Sequence, residues 1–392
     1  MGYGKFVRSV ESLSLIPEVQ KLLEVGRKNP IPDNFVSFEP TNPSLMIDWL
    51  SVKFLFWSDE CLNGGNVIST TPDGEIEYKV DKHLKLDGSH DSRLLIRTER
   101  SKLPPLPIFD NVWILSVTGN PVKWFQGHNI FGTSDLPNLV YELFEAISKR
   151  FGKEQPDFIR DAIIHGHYSI SRVDINGMFE LGSRLDVLTW LSSLERTART
   201  RHGTAVAKGN TVYFGKNSER WSLKFYSKGQ EIEVHKLPAI LQMTSLPDFA
   251  NNKLRAELTL RTKELVKLGL NVGSSWLNID VWEVYKEYLG RVEMSDLKPI
   301  DDITLKLPRH LGLTYLSWKE GYCLKTTLPK RTFYRHRREL LEFGIDISIP
   351  NPVEPISNVI PLNRVIEMRP CGIPDWAFGT DLLFEPRKLS TL

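Results

Sequence analysis

The chain has 392 residues, 41% hydrophobic and 25% charged, which is enough for a sizeable core over two or three domains and excludes a disordered chain. A net charge of +2 says little about partners, so local patches of charge are the more informative signal. Cys61, Cys323 and Cys371 are widely spaced without a CxxC, which argues against structural disulfides and zinc; no apolar run approaches the roughly 20 residues that span a bilayer, so a soluble intracellular protein without a membrane partner is expected.

Residues 1–45 read as an N-terminal extension: SLSLIPEVQKLLEVGRK has the spacing of a short amphipathic helix, and a Pro/Asn-rich connector follows. From Met46 the texture changes. MIDWLSVKFLFW, GEIEYKV, SRLLIRTER and NVWILSVTG read as strands, and KWFQGHNIFGTSDL as a glycine-punctuated loop. LPNLVYELFEAISKRFG reads as a helix, with Leu139, Leu143 and Ile147 on one face, Ser134 or Asp135 as cap and Gly152 as stop. YSISRVDINGMFE then reads as a strand and RLDVLTWLSSLERTART as a helix. NTVYFGK, WSLKFYSK and NKLRAELTLRT are strands, and ELVKLGLN begins a helix.

This irregular alternation predicts an α+β domain over 46–293, its sheet largely antiparallel, with helices on one face and the other face left open for a substrate. Residues 294–392 are expected to form a C-terminal helical DNA-binding domain and tail. Its basic stretch LPKRTFYRHRREL predicts a helix from Thr327 to Phe343, with Thr327 as cap, Pro329 in the first turn and Gly344 ending it. Arg331, Arg335 and Arg338 share a face of that helix and are candidates for phosphate contact; a solvated basic face with no ligand is the competing reading. RTARTRH is a second basic patch of the same kind.

Strand parity singles out three rows. Arg172, Asp174 and Asn176 lie opposite Val173 and Ile175; Arg255, Glu257, Thr259 and Arg261 lie opposite Leu254, Ala256, Leu258 and Leu260; Lys224, Tyr226 and Lys228 lie opposite Trp221, Leu223 and Phe225. If the three strands are neighbours, two carboxylates, a tyrosine and several cations meet on one surface. That set suits phosphodiester transesterification. Asp174 and Glu257 offer the oxygen ligands that a hard cation such as Mg²⁺ or Mn²⁺ prefers, Tyr226 offers a nucleophile, and Lys224 and Lys228 are placed to favour its phenolate. Arg172 and Arg255 are candidates for contact with DNA; surface salt bridges to the neighbouring carboxylates are the plainer alternative. His128 and Asn129, in a Gly-bounded loop before a helix, are further candidates for phosphate contact. The HGH of His165–His167 is the weaker metal candidate. Asp48 shares its strand face with Leu50, Val52 and Phe54 and reads as a structural acid or a third ligand.

The order SRVDI, then VYFG and RWSLKFYSK, then RAELTLRT resembles the rolling-circle replication initiators of plasmids and phages. From Met46 onward the chain resembles the gene II replication proteins of filamentous bacteriophages (inoviruses), with QGHNIFGTSDL its most specific short stretch and NVIPLNRVIEMRPCGIPDW similar to the C-terminal segment. The resemblance implies an endonuclease and ligase that nicks the plus strand of the double-stranded replicative form at its origin. It would stay joined through tyrosine to the 5′ phosphate, leave a 3′-OH for the host polymerase beside the host replicative helicase, and later reclose the displaced single-stranded circle in the host bacterial cytoplasm. By position Tyr226 matches the family tyrosine, with Tyr213 as its rival, and Asp174 and Glu257 match the two acids. Met294 lies about where these phages start a shorter product. A non-catalytic origin-binding or copy-control protein is the alternative.

Overall fold

The computed structural model describes residues 45–100, 111–200, 203–208, 210–294, 307–319, 322–343, 345–349 and 370–387. The expected helix in the N-terminal extension, the Gly344 stop and most of the segment resembling the family's C terminus lie outside these residues.

The strands are β1 (Leu45–Trp57), β2 (Asn66–Thr70), β3 (Ile76–Asp81), β4 (Leu84–Asp87), β5 (Arg93–Arg100), β6 (Val112–Gly119), β7 (Ser169–Glu180), β8 (Ala198–Thr200), β9 (Gly203–Thr204), β10 (Val206–Lys208), β11 (Thr211–Phe214), β12 (Trp221–Ser227), β13 (Lys253–Arg261) and β14 (Val292–Met294). Nine of them form one sheet in the order β10-β11-β12-β13-β7-β1-β6-β5-β4. Every pairing in it is antiparallel. The fold is therefore α+β on an antiparallel sheet, as expected.

The helices of the sheet unit are α1 (Pro121–Gln126), α2 (Leu136–Arg150), α3 (Asp157–Ile164), α4 (Arg184–Thr197), α5 (Lys228–His235), α6 (Ala239–Gln242), α7 (Leu246–Ala250), α8 (Thr262–Leu268) and α9 (Val281–Leu289). Asp135 caps α2 by accepting from the Asn138 amide at 3.2 Å. α1 occupies part of the stretch expected to be a loop, because Asn120 caps it, Pro121 sits at its first position and Gly127 closes it at φ 85°.

One sheet face is the main core. Leu50, Val52 and Phe54 of β1, Val173 and Ile175 of β7, and Leu254, Ala256 and Leu258 of β13 are all buried there with the apolar rows of α2, α3, α4 and α9. Phe144 meets Phe54 edge-on at 5.8 Å, and Trp190 of α4 lies 5.6 Å from Phe225.

The second face is not left open along its whole length, which corrects the expectation. Met178 at the end of β7 is apolar, and a second cluster builds on it from Ile130, Phe131, Leu241, Leu246, Ala250 and Ala377. The segment between β12 and β13 and the C-terminal residues 370–387 thus cover one end of that face. Phe384 stacks on Phe125 at 4.0 Å, the Cys371 amide donates to the Met178 carbonyl at 2.6 Å, and Trp376 meets Phe131 at 5.8 Å.

Further along the chain, α10 (Arg309–Lys319), α11 (Leu324–Thr327) and α12 (Lys330–Leu341) surround a separate small core of Leu311, Tyr315, Leu324, Phe333, Leu340 and Ile347. The described part of 294–392 is therefore two things: a helical unit and a stretch, 370–387, that packs on the sheet. Thr327 ends α11, and α12 starts three residues later behind Pro329, so the expected single helix from Thr327 is shorter.

Candidate active site

The register brings the three rows together. β13 lies between β12 and β7, with Glu257 opposite Lys224 on one side and Asn176 on the other. Arg255 pairs with Tyr226, and Thr259 with Asp174. Because period-2 parity holds on all three strands, Asp174, Glu257, Lys224 and Tyr226 share the second face.

The Tyr226 hydroxyl donates to Glu257 Oε2 at 3.4 Å, and Lys224 Nζ meets Glu257 Oε1 at 2.6 Å. Lys224 also lies 5.4 Å from the centre of the Tyr226 ring. Arg172 holds Asp174 with two parallel bonds, Nε to Oδ1 at 2.8 Å and Nη2 to Oδ2 at 2.6 Å, and its guanidinium lies over the Trp49 ring at 5.3 Å. Both acids are buried. Burial, then the like charges of Asp48 and Asp174, push the Glu257 carboxyl up to about 7 against the pull of Lys224 and Arg255. Burial also raises Asp174 despite Arg172.

Asp48 is part of this cluster, and simple parity assigns it to the wrong face. Ile47 pairs with Ile175 and Trp49 with Asp174, so Asp48 is the extra residue of a β-bulge. A bulge puts two consecutive side chains on one side of the sheet, and Asp48 joins Trp49 there instead of Leu50. Its Oδ1 accepts from Asn120 Nδ2 at 2.6 Å and Asn129 Nδ2 at 2.9 Å, and Arg255 Nη2 lies 3.2 Å away. Burial works to raise the Asp48 carboxyl, and the cations Arg255 and Lys224 with the Asn129 hydrogen bond overcome it, leaving it below the usual carboxylate range.

Four expected roles change. Lys228 does not continue the tyrosine row: Ser227 ends β12 and caps α5 by accepting from the Gln230 amide, so the chain turns before Lys228. The Lys228 ammonium is 1% exposed and donates to Asn129 Oδ1 at 2.8 Å and Glu231 Oε2 at 2.7 Å; burial first, then Arg255, holds it down at about 8. The expected phenolate is not favoured either, because burial raises the Tyr226 hydroxyl well above its ordinary value. Arg255 is 0% exposed, pairs with Asp48 and donates to the Asn129 carbonyl, so it has no surface with which to meet DNA. His128 is 0% exposed as well: Nε2–H donates to the Leu382 carbonyl at 2.7 Å while Nδ1 accepts from the Ile130 amide at 3.2 Å. The tail residues that cover it make the expected phosphate contact unavailable. Asn129 is the bridge between Asp48 and Lys228.

Gln126 was missed by the sequence reading. Its amide nitrogen donates to the carbonyls of Phe131 at 2.8 Å and His128 at 3.2 Å, and its oxygen accepts from the Phe384 amide at 2.7 Å, so it sets the shape of the QGHNIF loop. A glutamine between an aromatic and a glycine carries no periodic signal that could have found it. His165 and His167 lie in a turn between α3 and β7 that needs Gly166 at φ 71°, where an added Cβ would strike the backbone of Ser274. They are not part of the strand row.

Asp174 and Glu257 form an all-oxygen donor pair on adjoining strands, the chemistry a hard divalent cation takes. Mg²⁺ is commonly held by one or two carboxylates with water and substrate phosphate completing its shell. In kind the pair fits such an ion, although Arg172 and Lys224 neutralise it here. Among the described residues no group of three His, Cys, Asp or Glu side chains forms a metal cage.

Arg331, Arg335 and Arg338 of α12 are exposed, while Phe333, His336 and Leu340 face the small core. Arg337 is tied to Asp346 by two bonds of 2.7 and 2.6 Å. The expected basic face is therefore present.

Fold and site together define an α+β protein whose antiparallel sheet displays a tyrosine, two carboxylates and their cations on three adjoining strands. Residues 46–279 match the family model described as "Replication-associated protein G2P N-terminal", and residues 300–382 match "Replication-associated protein G2P C-terminal". The chain belongs to the G2P family of replication-associated proteins. It is 37% identical over 355 residues to the replication-associated protein G2P of Enterobacteria phage I2-2, covering 88% of this chain and 100% of that one. It is 24% identical over 376 residues to the G2P of Enterobacteria phage M13, covering 80% and 89% of the two chains. A solved rolling-circle replication initiator protein from Geobacillus stearothermophilus aligns with 70% of this chain and 95% of its own at 17% identity and a TM-score of 0.30, too low a likeness to bear on the fold. No helix among the described residues is long and apolar enough to cross a membrane.

Proposed function

We propose that the chain starts rolling-circle replication by nicking the plus strand of a double-stranded phage replicative form at its origin, keeping the 5′ phosphate on Tyr226. The observation that supports this best is the meeting of Tyr226, Glu257, Lys224 and Asp174 on β12, β13 and β7 inside the segment that matches the family. Tyr226 Oη attacks the scissile phosphorus, an Oη–P bond forms, and the bond from phosphorus to the 3′ oxygen breaks. The phenol gives up one proton and the leaving oxygen gains one, so the products are a phosphotyrosine and a free 3′-OH. One phosphate ester replaces another, so a later 3′-OH can reverse the attack and close the displaced circle without ATP.

Burial keeps the hydroxyl protonated and points it along one hydrogen bond until substrate arrives. Lys224 and Arg172 are the cations of the cluster with exposed surface, and they suit the charge on the phosphate. Asp174 and Glu257 would hold Mg²⁺ or Mn²⁺. Such an ion, when bound, would polarise the phosphate. The exposed arginines of α12 would hold flanking duplex. The host polymerase would extend the 3′-OH and the host replicative helicase would open the duplex, in the host bacterial cytoplasm.

The test is incubation with supercoiled DNA carrying candidate origins and Mg²⁺ or Mn²⁺, followed by denaturing electrophoresis. A covalent protein–DNA band that disappears with EDTA and with Tyr226→Phe is expected. Cleavage without a covalent band would favour water as nucleophile, and Tyr213→Phe abolishing the band while Tyr226→Phe keeps it would move the role to Tyr213.

A further inference from the structure

A cavity of about 490 Å³ opens between β11, β12 and α5, beside the tyrosine. Its size is within the range of small-ligand sites. Thr211 pairs with Tyr226 and Tyr213 with Lys224, so the side chains of Tyr213 and Tyr226 stand on the same sheet face, and both line the cavity. Gln230, His235 and Glu231, the last paired with Lys228, line it from α5, and Lys208 and Lys224 add two cations. Lys216 Nζ lies 5.1 Å from the centre of the Tyr213 ring and adds a third positive charge nearby.

Gln230 supplies a second, independent observation. Its side-chain oxygen is buried without a hydrogen-bond partner. A buried acceptor left unpaired is costly, and a donor entering the cavity relieves that cost. Aromatic faces, spaced lysines and a waiting acceptor are the chemistry that receives an unpaired base by stacking while cations hold the flanking backbone.

We propose that this cavity receives one unpaired nucleobase of the DNA strand, next to the phosphate that Tyr226 attacks. The base stacks on Tyr213, a turn of the Gln230 side chain brings its unpaired oxygen round to accept from an edge N–H, and Lys208 and Lys224 hold the adjoining phosphates. The placement beside the scissile phosphate rests on the reaction proposed above; the occupancy by a base does not. Tyr213 thereby has a role distinct from nucleophilic attack, which accounts for a second tyrosine beside Tyr226.

The experiment measures binding of the full chain to two fluorescent probes at constant salt: dT15, and a 15-unit abasic deoxyribose-phosphate strand of equal charge. The wild type should prefer dT15 by tenfold or more. Tyr213→Ala should lose about tenfold on dT15 and nothing on the abasic strand, Tyr213→Phe should retain binding because the ring remains, and Gln230→Leu should lose a few-fold on dT15 alone. Equal affinity of the wild type for both probes overturns the inference. So does a loss from Tyr213→Ala that is the same on both probes while Gln230→Leu binds like the wild type. Failure of the wild type to nick any origin DNA would overturn the proposed reaction but leave this comparison readable, since it reads binding alone.

Discussion

Glu257 faces Tyr226 diagonally across β12 and β13, with Oε2 3.4 Å from the phenol oxygen and Oε1 2.6 Å from Lys224. The residue directly opposite the tyrosine is Arg255. One carboxylate thus orients the proposed nucleophile and neutralises the lysine over its ring. The cluster is a linked set of buried pairs, so its parts do not act independently.

Asp174→Asn and Glu257→Gln should each lower metal-dependent cleavage by orders of magnitude. On an exposed row such changes would leave stability almost untouched. Here each removes the charge facing a cation that is partly buried, so a loss of about 1–3 kcal/mol is expected in urea unfolding. Full activity of both variants at limiting metal would exclude the two acids from the reaction.

Asp48→Asn should be the more damaging change to the fold. Arg255 is 0% exposed, and Asp48 is its ion-pair partner at 3.2 Å. Removing one member of a buried pair typically costs about 3–5 kcal/mol, because the other charge stays buried. Arg255→Met together with Asp48→Asn should recover part of that loss. Urea midpoints of the single and double variants check this, and a near-neutral Asp48→Asn would contradict the assignment.

Burial holds the His128 imidazole at about 4, against about 6.5 in an unfolded chain. As pH falls below about 6.5 the unfolded chain takes up a proton that the folded chain does not, so the sign is destabilising with acid. The contribution is absent above pH 6.5, grows as pH drops to about 4 and is flat below that, reaching about 3 kcal/mol. His128→Gln should flatten this part of the stability–pH curve, measured by urea unfolding between pH 7 and 4. A curve parallel to that of the wild type would show that His128 does not titrate in this way.

Replacing Arg331, Arg335 and Arg338 with Ala should weaken duplex binding chiefly through lost counterion release. The slope of log K against log salt should flatten by about 0.9 for each true phosphate contact. Arg337→Ala should instead act on stability, because that side chain is tied to Asp346. An unchanged slope in the triple variant would leave α12 a solvated basic face.

Much of this was legible in the residues. Period-2 alternation gave the three strand rows, but it left open whether the strands are neighbours, which the sheet order β12-β13-β7 decides. The sequence reading went astray where a single residue breaks the period. The bulge at Asp48 reverses its face, and Ser227 turns the chain so that Lys228 leaves the tyrosine row. It also had no access to contacts made across long separations. Nothing local in QGHN announces that the imidazole will be covered by a residue 254 positions away. The exposed arginines of α12 were the simplest to read, since one helix face needs only local spacing.

The returning tail gives the molecule a particular order of assembly. Gln126 and His128 receive their partners from Phe384 and Leu382, separated by 258 and 254 residues. During synthesis the QGHNIF loop therefore waits, next to the strands of the candidate site, until Leu382 and Phe384 have left the ribosome. Closing so long a loop costs entropy before any contact repays it and tends to be slow. A chain cut short before residue 370 would contain every strand of the sheet and still lack the cover over one end of its second face.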